Sequence, residues 1–157
     1  INKMQALWDH SYKVGFFAFY LAKKFSLKEI LEDVYIGGIL HDLGKILTFS
    51  MNEEIVSKMN NLCQERGISI KVIEEISNGY NHSLIGGALA KKWNFPEKFV
   101  YAIENHHSPE AAIDNESLKS FLFCIYLANI MDNDKLINDR DFNQIDSSVL
   151  NFFKIGN

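Results

Sequence analysis

Apolar residues recur at intervals of three and four over the first 25 positions: Met4, Leu7, Trp8, Val14, Gly15, Ala18, Leu21, Ala22 and Phe25, with Ser11 in the same row. That spacing is one face of an α-helix. Phe16, Phe17, Phe19 and Tyr20 make the same segment apolar almost all round, as in a helix covered on two sides. The row starts without a capping residue, so a further N-terminal segment is expected to pack against this helix.

Ser26 followed by Glu29 reads as a capping box that opens a second helix, from Leu27 to about Leu43. Asn52, with Glu53 and Glu54 behind it and Gly67 just past the end, frames a third. A short helix is expected from Ile70 to Ser77, closed by Asn78-Gly79. His82 to Trp93 and Glu97 to His107 read as a helix pair, with Pro96 suited to a helix start and Ser108-Pro109 to a stop. Ser117 to about Asp132 is a strongly apolar, buried helix, the polar stretch from Asp132 to Asp146 a loop, and Ser147 to Lys154 a short terminal helix. No useful run alternates as a strand does. The expected fold class is all-α, a multi-helix bundle forming one domain over 1–157.

Composition adds limits. With 47% hydrophobic and 23% charged residues the chain is ordinary for a globular protein. A net charge of -4 and a pI near 5.7 give no general attraction to nucleic acid or anionic membranes, so neither is expected as a partner. Cys63 and Cys124 are too few for a disulfide framework. The longest apolar run, Val14 to Ala22, is short of the roughly 20 residues a membrane span needs. With no secretory segment at the start, a cytoplasmic location is expected.

Candidate chemistry lies in five histidines, His10, His41, His82, His106 and His107. Each alone is an ordinary residue; their placement together is informative. His10 sits in the inward row between Leu7 and Val14, while His41-Asp42, His82 and His106-His107 fall at expected helix ends, where several helices can aim side chains at one centre. Neutral imidazoles with a carboxylate suit iron, manganese, zinc, nickel or cobalt. Six such groups exceed one tetrahedral site but suit one or two ions, with Asp42 as a bridge between two. Lys45 is placed to hold a phosphate as a point charge. A polar network without metal is the remaining reading of the cluster.

Four blocks in this order, WDHS at Trp8–Ser11, GILHDLGK at Gly38–Lys45, NHSLIGGALAKKWNFPE at Asn81–Glu97 and AIENHHSPE at Ala102–Glu110, resemble the HDOD family. Its relatives are the HD phosphohydrolases and the HD-GYP cyclic-di-GMP phosphodiesterases. The resemblance implies an all-α fold with a further helical region on the N-terminal side, making residues 1–157 the C-terminal part of a longer protein. By position it makes His10, His41 and Asp42 one set of metal ligands, His82, His106 and His107 the second set, and Lys45 the motif lysine. Asp42 and Lys45 would be the catalytic pair if the site turns over. Asn129 stands where catalytic relatives carry a further aspartate ligand, so the subsite of His10, His41 and Asp42 is expected to be the weaker, with Asp132 compensating in part. The segment after the histidine pair reads SPEAAIDN and lacks GYP. These departures imply a regulatory module in bacterial signal transduction, non-catalytic or weakly catalytic, that works through protein partners and its own N-terminal helical region. The alternative is a metal-dependent phosphohydrolase acting on a nucleotide or other phosphoester.

Gly37-Gly38 and Gly86-Gly87 are expected to serve close helix packing. Lys23-Lys24 and Lys91-Lys92 are expected to be solvated, Trp93 and Phe95 packed, and both cysteines buried.

Overall fold

In the computed structural model, which describes residues 2–51, 81–111, 114–132 and 145–156 together with 61 and 65, the opening row of apolar residues forms one long helix, α1 (Lys3–Lys24). It is followed by α2 (Leu31–Leu40), α3 (Leu43–Met51), α4 (His82–Lys92), α5 (Glu97–Asn105), α6 (Glu116–Met131) and α7 (Ser147–Phe152), with 3-10 turns at Lys28–Ile30 and Pro109–Ala111. No strand occurs among the described residues. The expected helices after Asn52 and from Ile70 to Ser77, the Asn78-Gly79 turn, Cys63 and most of the polar stretch between Asp132 and Asp146 lie outside the described residues.

Three expected boundaries are corrected. The first helix does have a cap: the Asn2 side chain accepts the Met4 backbone N–H at 3.0 Å. Ser26 does not open the second helix; it closes the first. Its φ is 57°, its N–H donates to Lys23 O, and the Leu27 N–H donates to Ala22 O at 2.9 Å. That pair of bonds around a left-handed residue satisfies the last free carbonyls of α1. Asn94 (φ 55°) and Lys154 (φ 53°) end α4 and α7 in the same way. The second helix starts instead through the 3-10 turn, and it stops at Leu40, short of the expected Leu43. His41 and Asp42 occupy the break before α3, which leaves Gly44 inside a helix.

The core gathers on α6, where Phe121, Leu122, Phe123, Cys124 and Ile125 are all at most 1% exposed. Against it pack Val14, Ala18 and Leu21 of α1, Val34 of α2, Phe99 and Ala102 of α5, and Val149 and Phe153 at the end of the chain. Each fully buried Phe, Leu or Ile contributes about 1.5–3 kcal/mol. Burial also pushes the Cys124 thiol up to about 12, so it stays protonated.

The glycine pairs serve packing, as expected. A Cβ on Gly38 would lie 2.6 Å from Gly15 Cα, which sets how closely α1 and α2 cross. A Cβ on Gly37 would meet Phe121 at 2.5 Å. Most restrictive is Gly44, where a Cβ would lie 1.8 Å from the carbonyl oxygen of His82. That contact ties the start of α3 to the start of α4, the two places where the chemistry sits. Trp93 departs from expectation: it caps α4 where the chain turns away at Asn94, and it is 54% exposed, with its ring tilted against Phe95. No helix among the described residues is long and apolar enough to cross a membrane.

Candidate metal centre

Five helices deliver the polar side chains to one point. His10 projects inward from the middle of α1, and His41 and Asp42 fill the break between α2 and α3. Lys45 follows in the first turn of α3. His82 is the first residue of α4, set by Asn81, whose side chain accepts the Leu84 N–H at 2.9 Å. His106 caps α5 and His107 follows it. Helix ends are the natural positions for such a cluster, because the backbone there can redirect neighbouring side chains without breaking a packed helix.

Asp42 is the hub. Its Oδ2 lies 3.5 Å from His10 Nε2, 3.3 Å from His41 Nε2 and 2.7 Å from Lys45 Nζ. Its Oδ1 lies 3.4 Å from both His82 Nε2 and His106 Nε2. His82 Nε2 is in turn 3.0 Å from His107 Nε2 and 3.3 Å from His106 Nε2. The donors thus divide into His10, His41 and Asp42 on one side, and Asp42, His82, His106 and His107 on the other. All five imidazoles expected at the site are there.

The outer ring nitrogens fix the protonation. His41 Nδ1 donates to Gly38 O at 2.6 Å, and His106 Nδ1 donates to Ile103 O at 2.8 Å. Each carbonyl belongs to the residue three positions earlier in the same helix. With the proton held at Nδ1, a neutral ring points its Nε2 lone pair into the centre. Neutrality is enforced by burial, which pushes His106 down to about 3 and lowers His107 and His10, only partly opposed by Asp42. Burial works to raise the Asp42 carboxyl, but the Lys45 ammonium facing it at 2.7 Å helps to outweigh burial and hold Asp42 well below the usual carboxylate range.

An ionised Asp42 beside neutral His10, His106 and His107 has the protonation state of a metal-ligand set. The site also has a defect that a cation repairs. His41 Nε2 and Asp42 Oδ1 are fully buried without a hydrogen-bond partner, and such atoms are costly to leave unsatisfied. His82 Nε2 and His106 Nε2 face each other at 3.3 Å, so a cation between them would serve both rings. The residues present therefore fit one or two transition-metal ions, with Asp42 shared.

Asn129 lies on α6 and is partly buried. Three residues on, Asp132 caps the same helix and places Oδ2 2.6 Å from His10 Nδ1. Sequence position alone assigns Asp132 only a compensating role, and a side-chain pattern does not reveal the carbonyls of Gly38 and Ile103. The i−3 relation of each carbonyl to a histidine at a helix end was the available signal.

Comparison with known proteins identifies the family and the fold. The HDOD domain family matches residues 1–109. An uncharacterized protein of Treponema pallidum (strain Nichols) is 34% identical over 155 residues, which is 98% of this chain but 29% of that protein. The crystal structure of an HDOD domain protein of unknown function from Geobacter sulfurreducens has a TM-score of 0.68 at 28% identity, covering 78% of this chain and 40% of that one. A Shewanella amazonensis SB2B protein named "Putative phosphohydrolase" shares the fold, with a TM-score of 0.70 at 22% identity over 94% of this chain and 53% of that one. The chain thus spans about a third to a half of the length of these relatives.

Proposed function

The chain belongs to the HDOD family, and from that premise we propose that it is a regulatory module of bacterial signal transduction that holds metal at its His/Asp centre and acts through protein contacts. The observation that carries the contact reading is the outer face of α1. Trp8, Tyr12, Phe16 and Tyr20 follow one another at every fourth position and are 39–59% exposed, with Tyr35 and Ile36 of α2 exposed as well. A contiguous aromatic surface of this kind is the usual mark of an interface. The N-terminal helical region implied by the family resemblance, or a signalling partner, would cover it. Asn129 in place of a carboxylate, and the SPEAAIDN segment after His107, argue for binding without turnover.

The second reading, a metal-dependent phosphohydrolase, is favoured by Lys45, whose ammonium sits 2.7 Å from Asp42 and is partly exposed. Bound metal would supply a water of lowered pKa and polarise a phosphoryl oxygen. Lys45 would then position the phosphate, with the buried imidazoles as ligands.

The two readings separate in one assay. The chain loaded with manganese or iron is given bis(p-nitrophenyl) phosphate beside the Asp42→Asn variant. The regulatory reading expects both proteins to match the rate of the free metal. Metal-dependent turnover that disappears in Asp42→Asn would establish the hydrolase instead.

A further inference from the structure

We infer that Asp132 is the positioning residue of His10: it takes the Nδ1 proton of the ring and so turns the Nε2 lone pair toward Asp42. The inference builds on the metal reading above and adds to it a residue outside both donor sets. A contact of 2.6 Å between His10 Nδ1 and Asp132 Oδ2 requires a proton between the two atoms. A carboxylate that is ionised can only accept it, so the ring is the donor. A neutral imidazole carries one N–H, so with that proton on Nδ1 none is left for Nε2. That nitrogen lies 3.5 Å from Asp42 Oδ2, too long for a good hydrogen bond and open to a cation.

The setting of Asp132 supports the same role. It caps the C-terminus of α6, where the helix dipole disfavours a negative charge. Its side chain is only 8% exposed, so it is also largely removed from water. Two groups of α1, one helical turn apart, hold it there: His10 on Oδ2 and the largely exposed Lys13, whose Nζ is 3.2 Å from Oδ1. A carboxylate placed against both the dipole and solvation is explained by the ring it orients. The inward nitrogens of His41 and His106 are set by main-chain carbonyls. His10 lies in the middle of α1, where the carbonyls are engaged in the helix, so a side chain has to do this work.

The experiment uses the full chain, labelled with 15N at histidine, without metal, and His10 is identified by comparison with His10→Gln. The wild type is expected to show His10 protonated at Nδ1. Asp132→Ala should move the proton to Nε2, and Asp132→Asn, whose amide oxygen accepts the same proton, should return it to Nδ1. Cobalt titration of the same proteins should show one equivalent weakened by about 10–100-fold in Asp132→Ala, the other equivalent unchanged, and recovery in Asp132→Asn. Asp132→Ser replaces Asp132→Ala where the latter does not fold. An unchanged His10 tautomer, or equal weakening of both equivalents, overturns the inference. A tautomer that switches in a chain that binds no cobalt upholds the positioning role and removes the metal reading instead.

Discussion

The inner and outer faces of α1 carry opposite exceptions to the usual rule of burial. Inward, His10 joins a cluster in which His41, His82 and His106 have no exposed surface and Asp42 has 2%. Outward, Trp8, Tyr12, Phe16 and Tyr20 leave large aromatic rings in solvent. Buried polar groups and exposed apolar patches are the informative departures in a folded protein. The difference lies in what completes each one. The centre is over-determined by main-chain carbonyls, a packed glycine and a shared carboxylate, and its donor set suits a small cation. The outer face has no such fixed geometry, and a surface of another protein segment would complete it.

The sharpest way to break this comparison is at Gly44. Gly44→Ala drives a Cβ into the His82 carbonyl, and backbone cannot move aside as a side chain tip does. Overpacking of this kind costs about 3 kcal/mol or more. Denaturant unfolding should show that loss together with weakened metal binding; a fully stable Gly44→Ala chain would mean the α3–α4 junction is loose.

Acid should act on the centre alone. His106 sits near 3 in the folded chain against its usual 6.5, so as pH falls the unfolded chain takes up that proton first. Stability of the metal-free chain should be full above about 6.5 and decline toward pH 3, by about 1.4 kcal/mol per pH unit for each imidazole held neutral. His10 and His107, also lowered, add in the same direction, and so does Asp42 once the pH nears the carboxylate range. Urea midpoints at pH 7, 6 and 5 measure this. A flat profile would contradict the neutral, buried cluster.

Asn129→Asp sharpens the comparison within the centre. A second carboxylate at the position that the family resemblance assigns to this subsite should raise its metal occupancy, because a cation beside one buried charge is less well compensated than beside two. Metal content after equal manganese loading reads it; unchanged content would show that Asn129 does not reach the ions.

The smallest stability effect is expected outside. Phe16→Ser removes a ring that is 59% exposed, so unfolding free energy should stay within about 0.5 kcal/mol. The acid profile should not move either. A large destabilisation would mean that the outer ring supports the fold itself.

The helical class and the members of the centre were legible in the sequence because both follow from spacing. A three-and-four row puts His10 on the core face of α1, and His41, His82 and His106 stand at punctuation residues that end or open helices. The role of Ser26 was not legible, because Ser-x-x-Glu suits an N-cap while the same serine can take a left-handed φ, and only packing of Leu27 decides between them. The exposure of Trp93 is hidden for a related reason: apolar character does not say on which side of a helix end a side chain emerges. Asp132 was read as a weak substitute for Asn129 because sequence shows neighbours along a helix, whereas its partner His10 is 122 residues away.

The central claim, that Asp42 is shared between two donor sets, is tested most directly by metal stoichiometry. The chain is purified without chelators or affinity resin, loaded with manganese or cobalt, and analysed beside Asp42→Asn. Two ions per wild-type chain, with both lost in the variant, is the predicted result. A wild type that binds none, or an Asp42→Asn chain that keeps both, would contradict it.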